Sequence, residues 1–194
     1  MNHIPKLGPS DQMTVEEFLA FTLTRPDEER WELIEGVPVL NASPVKSHQL
    51  IVANLISLLH QEKLRTGASW LALLGVGTAV PASPSSLPQP DLYIQAGGIT
   101  GDVPVTDDAL VIFEVLSRSN TRADRAWRRR VYASVPNCAH YVTVSLKTAD
   151  VTVFDRASGW QERTAQGLDA RIELAAVGVT LALADIYRWT PLAG

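Results

Sequence analysis

Residues 110–117 read Leu-Val-Ile-Phe-Glu-Val-Leu-Ser. The run has the length of a strand and is rich in β-branched and aromatic residues, the pattern of a buried strand. One carboxylate, Glu114, stands in its middle. A buried strand does not hold an unpaired charge cheaply, so Glu114 needs a cation, a metal or a proton. A second short strand over 89–94, Gln-Pro-Asp-Leu-Tyr-Ile, carries another acid, Asp91, at its start. Pro90 restrains the backbone just before it. Two hard oxygen donors on neighbouring strands make a candidate Mg²⁺ site. Each acid also has a structural reading: Asp91 as an ordinary turn acid, Glu114 as a salt-bridge partner of a downstream arginine.

Those arginines are the next feature. Arg118, Arg122, Arg125, Arg128, Arg129 and Arg130 crowd the end of the strand and the helix expected over 121–133. Arginine suits bidentate contact with phosphate. The competing reading is a solvated helix face with Asp124 and Arg128 paired one turn apart. Asp124, Arg128 and Tyr132 share one helical stripe under either reading.

Upstream, Thr14-Val15-Glu16-Glu17 is a capping box that opens a short helix to about Thr22. Residues 31–35 and 37–40 read as two strands turning at Glu35-Gly36, and Glu32 lies on the first. Ser43-Pro44 suits the N-cap and first turn of a helix that ends before Gly67. Leu50, Ile51, Leu55, Leu58 and Leu59 form its buried stripe. His48 lies close to that stripe, as a core histidine or a ligand. Residues 70–80 read as strand interrupted by glycines, 81–88 and 97–108 as loops. Beyond the arginine helix come a hairpin over 139–155, a continuing meander, a strand over 179–183 and a short closing helix. Strands and helices mix along the chain, which gives an α+β or mixed α/β fold.

The 194 residues suffice for one core, with 1–12 as a loose tail and 13–194 as a single domain. A net charge of -4 counts against a tight, sequence-indifferent nucleic-acid binder, yet leaves room for a local basic site. The single cysteine, Cys138, excludes an internal disulfide and a cysteine metal cluster. The opening residues have no secretory pattern, and the longest apolar run, 174–184, is too short to span a bilayer. A soluble, cytoplasmic protein is expected. No phosphate-binding P-loop, dinucleotide glycine fingerprint or zinc-spaced histidine pair is present.

Taken together, Trp31-Glu-Leu-Ile-Glu-Gly, Ser43-Pro44 with His48, Gln89-Pro90-Asp91-Leu92, Phe113-Glu114-Val115-Leu116-Ser117 and Asp124 with Tyr132 resemble the Uma-two family of putative restriction endonucleases, within the PD-(D/E)XK nuclease superfamily. The resemblance spans roughly residues 13–187. It implies a restriction-endonuclease-like fold, a mixed central β-sheet flanked by helices. It implies Mg²⁺, with Mn²⁺ as a substitute, held by Asp91, Glu114 and the Val115 carbonyl. Glu32 matches the family's first acid and His48 its histidine. The wider superfamily has a lysine two residues after the Glu, where this chain has Leu116. The family carries it on the following helix instead, where this chain has Arg128. Arginine can stabilise charge but cannot accept a proton.

The expected function is therefore Mg²⁺-dependent hydrolysis of DNA phosphodiester bonds, with Glu32, His48, Asp91, Glu114 and Arg128 as catalytic residues. Phosphate contacts are expected from Arg118, Arg122, Arg125, Arg129 and Arg130. The alternative is a catalytically degenerate protein of the same fold that binds DNA or a protein partner. A homodimer is compatible with the sequence.

Overall fold

The computed structural model describes residues 12–99, 101, 104–117 and 120–194. The expected loose tail therefore lies outside the described residues apart from Gln12, as does Arg118. Helix α1 (Val15–Thr22) opens with the expected box: the Thr14 hydroxyl accepts from the Glu17 N–H at 3.2 Å, and Glu17 Oε2 accepts from the Thr14 N–H at 2.8 Å. Strands β1 (Trp31–Ile34) and β2 (Val37–Leu40) form an antiparallel hairpin. Its two turn residues, Glu35 and Gly36, have φ of 50° and 79°. Positive φ at both positions matches the twist of the flanking strands in a two-residue loop.

Helix α2 (Lys46–Thr66) starts later than Ser43-Pro44 suggests. Val45 precedes it in extended backbone, φ -72° and ψ 159°, and offers no side-chain cap. That conformation keeps Ser43 and Pro44 outside the helix, on the wall of a cleft. The helix ends at Gly67, φ 68°, whose N–H donates to the Lys63 carbonyl.

The stretch 70–80 divides into β3 (Leu71–Leu74) and β4 (Gly77–Thr78). Then come β5 (Leu92–Gln95), β6 (Val105–Thr106) and β7 (Ala109–Leu116). The two-residue β6 lies in a region that reads as loop, and it pairs in parallel with β4. Helix α3 (Arg122–Tyr132) is capped by Thr121, whose hydroxyl accepts from the Asp124 N–H at 3.1 Å. Strands β8 (His140–Ser145), β9 (Asp150–Asp155) and β10 (Gln161–Gln166) follow as a meander. A last hairpin, β11 (Arg171–Leu174) and β12 (Val179–Ala182), leads into α4 (Leu183–Ile186).

The central sheet has six strands in the order β10-β9-β8-β7-β5-β3. Only β7 and β8 pair in parallel within it; the other pairs are antiparallel. Strand β7 is covered on both faces, which is why its sequence is a continuous apolar run. Val111, Phe113 and Val115 pack with Ile51, Leu55 and Leu59 of α2. Ile112 packs on the other face with Val131 and Tyr132 of α3 and with Cys138. Burying each such side chain contributes about 1.5–3 kcal/mol, enough to offset one well-partnered polar group in the strand. Alternation sends Glu114 to the face of Ile112, toward α3.

Two close backbone contacts position the parts around Asp91 and α3. A Cβ on Gly75 would lie 1.5 Å from the Pro90 carbonyl oxygen, so only glycine lets the chain pass there. The Gly75 N–H donates to the Asp91 carbonyl at 3.2 Å, and the Gln89 amide donates to the Gly75 carbonyl at 2.8 Å. Beyond α3, Arg156 donates to the Cys138, Val135 and Ala133 carbonyls at 2.6, 2.6 and 3.1 Å. Cys138 is buried, and burial pushes its thiol up to about 12, as suits a packing residue.

Candidate functional site

The antiparallel register of β5 and β7 pairs Leu92 with Phe113. Asp91, one residue earlier, donates its N–H to the Phe113 carbonyl at 3.2 Å. One step along this ladder sets Asp91 opposite Glu114, so the two acids are cross-strand neighbours. Asp91 Oδ2 accepts from the Val115 N–H at 2.8 Å and lies 3.2 Å from His48 Nε2. A carboxylate only accepts, so the proton of that second bond belongs to Nε2. His48, in the first turn of α2, thus steadies Asp91, and its buried Nδ1 has no hydrogen-bond partner among the described residues. Asp91 Oδ1 is 3.8 Å from an Nη1 of Arg30, a half-exposed guanidinium just ahead of β1.

Glu114 is held from α3. Its Oε1 accepts from Arg128 Nη1 and from the Tyr132 hydroxyl, both at 2.9 Å. Arg128 and Tyr132 lie one helical turn apart and so reach the same atom. Burial pushes the Glu114 carboxyl up to about 8; Arg128 opposes the rise, the charges of Asp91 and Glu32 add to it, and the Tyr132 bond opposes it. Burial likewise holds the Tyr132 phenol well above its ordinary range.

The guanidinium of Arg128 also spans to Glu32 of β1, with Nη2–Oε2 at 2.7 Å and Nη1–Oε1 at 3.1 Å. The Gln89 N–H completes the Glu32 shell at 2.6 Å. The alternative surface pair with Asp124 is present only as a 3.6 Å approach to Nε. Arg128 is therefore chiefly a buried bridge between two acids from different elements. Such a bridge is costly to break from one side, because it leaves charge buried and unpaired.

Glu32, His48, Asp91, Glu114, Val115 and Arg128 line one cleft of about 910 Å³. The arginines of α3 other than Arg128 are not among its lining. Arg129 donates to the Trp160 carbonyl at 2.6 Å and lies over the Phe154 ring. Arg130 is 3.9 Å from Glu35, while Arg122 and Arg125 are exposed. The sequence reading did not single out Arg30, Gln89 or Lys147, all of which line the cleft. Lys147 had a legible signal: in a parallel pair such as β7 and β8 the strands end at one edge, and the turn beyond them borders whatever lies there.

Among the described residues no three His, Cys, Asp or Glu side chains are arranged to hold a metal ion. The donor set nevertheless fits Mg²⁺, which keeps several waters and commonly takes one or two carboxylates from a protein. Glu114 Oε2 accepts no hydrogen bond among the described residues, and Asp91 Oδ1 has only the long approach of Arg30. Each acid thus keeps one oxygen in reserve, and both border the same cleft.

The sequence matches the family described as "Uma2: Putative restriction endonuclease" over residues 15–184. Among solved structures, that of a putative nuclease belonging to DUF820 from Anabaena variabilis shares the fold. Its TM-score is 0.73 at 15% identity, covering 91% of this chain and 98% of that one. No curated protein matches the sequence.

Proposed function

The chain belongs to the Uma2 family, and from that premise we propose that it is a Mg²⁺-dependent endonuclease hydrolysing DNA phosphodiester bonds. The observation that carries this reading is the placement of Asp91 opposite Glu114 in one cleft, each with an oxygen to spare. Asp91, Glu114 and the Val115 carbonyl would hold the cation. When bound, a divalent cation supplies Lewis-acid polarisation and a more acidic water.

The protein's own residues orient and neutralise. Val115 N–H and His48 fix the Asp91 carboxylate, while Arg128 and Tyr132 fix that of Glu114. Arg128 stays protonated, so it offsets charge in the cleft and takes no proton. Glu32 anchors Arg128 from the opposite side.

A second reading is a catalytically degenerate protein that keeps the fold and binds DNA or a protein partner. It is favoured by Arg128 itself, whose guanidinium already engages both Glu114 and Glu32. Nicking of supercoiled plasmid in Mg²⁺ or Mn²⁺, with EDTA and Asp91→Ala controls, decides between them. The endonuclease reading expects nicked product from the wild type with metal and none from either control. DNA binding without nicking selects the second reading.

A further inference from the structure

Three carboxylates, Glu32, Asp91 and Glu114, face the cleft, and the whole chain carries a net charge of -4. A polyanionic substrate can approach only if cations at the rim outweigh that repulsion. Arg128 cannot serve, because its two terminal nitrogens are already taken by Glu32 and Glu114. The other arginines of α3 described here do not line the cleft. Among the described residues two cations remain at its walls, Arg30 and Lys147.

Arg30 sits at the base of the β1–β2 hairpin, where its carbonyl accepts from the Asn41 N–H at 2.9 Å. Its side chain is 41% exposed, and among the described residues the guanidinium is held only by the 3.8 Å approach to Asp91 Oδ1. Lys147 sits in the turn between β8 and β9 and is exposed, with no side-chain partner among the described residues. The turn itself is braced: Ser145 Oγ accepts from the Lys147 and Thr148 N–H groups at 3.1 and 3.3 Å. A braced backbone thus presents an exposed ammonium.

We infer that Arg30 and Lys147, on separate walls of the cleft, are the phosphate contacts that seat a DNA strand over the Asp91–Glu114 pair. The inference rests on the nuclease reading and deepens it, by moving the contacts from the α3 arginines to the cleft walls. Arg30 has a double role. It faces Asp91 Oδ1 at 3.8 Å; once that oxygen is engaged elsewhere, the guanidinium is free for a bidentate phosphate contact. Lys147 supplies a point charge from the other side.

The test measures binding of a fluorescein-labelled duplex by anisotropy, in EDTA and again with Ca²⁺ in place of Mg²⁺ so that Asp91 is engaged, across a salt series. Wild type is compared with Arg30→Gln/Lys147→Gln, with Arg30→Lys, and with Arg125→Gln/Arg130→Gln; thermal melts check that each folds. The expected result is an affinity loss of about tenfold for the cleft double variant, its log–log salt slope flattened by about two. Arg30→Lys, which keeps the charge but not the fork, loses less than the cleft double variant, and the α3 pair binds as wild type. The inference is overturned if the cleft variant binds as wild type, or if the α3 pair accounts for the salt slope. Plasmid nicking run alongside keeps the two failures apart. A wild type that nicks, with KM unchanged in the cleft variant, removes this inference alone. A wild type that neither binds nor nicks removes the nuclease reading with it.

Discussion

The backbone N–H of Val115 donates to Asp91 Oδ2 at 2.8 Å, so the residue beside Glu114 sets the direction of the opposing acid. Asparagine offers the same acceptor without the charge. Asp91→Asn should therefore stay within about 1 kcal/mol of wild-type stability, while Asp91→Ala, which orphans a buried N–H, should cost about 1–3 kcal/mol. Both should lose metal-dependent nicking. Urea denaturation in EDTA reads the first effect; equal midpoints for the two variants would deny the hydrogen bond its orienting role.

Arg128 joins Glu32 to Glu114 from within the fold. Arg128→Met leaves two buried acids without their cation and should cost about 3–5 kcal/mol. Arg128→Lys keeps the charge but not the fork, so it should fall between the two. A wild-type denaturation midpoint for Arg128→Met would mean that the bridge contributes nothing net.

Gly75 passes against Pro90 with no room for a side chain. Gly75→Ala must push the 89–91 segment away, and Asp91 with it. The expected outcome is a lower melting temperature together with loss of nicking, since small displacements at a reacting centre cost on the order of 10²-fold in rate. Unchanged melting and nicking would show that the two segments separate freely.

His140 gives the protein an acid-side sensitivity away from the cleft. Burial holds its imidazole below the ordinary value of 6.5; Asp155 opposes that shift and Arg163 adds to it. Its Nε2 accepts from the Ala176 N–H at 3.2 Å, an acceptor lost on protonation. A folded-state value below the unfolded one means the unfolded chain binds more protons in between. Stability should be fully present above about pH 6.5 and fall as pH drops through the folded-state value. In His140→Gln that step should disappear; a melting curve against pH that matches wild type would place the sensitivity elsewhere.

The capping box of α1, the β1–β2 hairpin and β7 were legible because each rests on a local pattern: a reciprocal cap, a turn at Gly36, an unbroken apolar run. The helix start at Ser43-Pro44 was misread because a good capping pair need not be used when the chain ahead lines a cleft. Strand β6 escaped notice because two residues show no periodicity, and β11 because its alternation is short and half polar. At the site, the acids were legible as charges inside or beside apolar strands. A salt bridge from Glu114 to a downstream arginine was legible too; the reach of Arg128 on to Glu32 was not, since it depends on a hairpin distant in sequence. The stripe of Asp124, Arg128 and Tyr132 did single out the arginine that turns inward, because one helix face decides that.

Glu32, His48, Asp91, Glu114 and Arg128 lie on five separate segments of one chain, and little that is local brings them together. The Glu32–Arg128 and His48–Asp91 contacts close loops of 96 and 43 residues, and that entropy must be met before either contact returns stability. The β1–β2 hairpin joins the rest through the Leu33–Leu87 bridge and the Glu32–Arg128 pair. Its release would take Glu32 from Arg128 and leave the Arg128–Glu114 and His48–Asp91 contacts in place. A nascent chain halted before α3 would carry Glu32 and Glu114 without the guanidinium of Arg128, with Arg30 as the cation beside Asp91. All five residues are present in the chain only once α3 has been made.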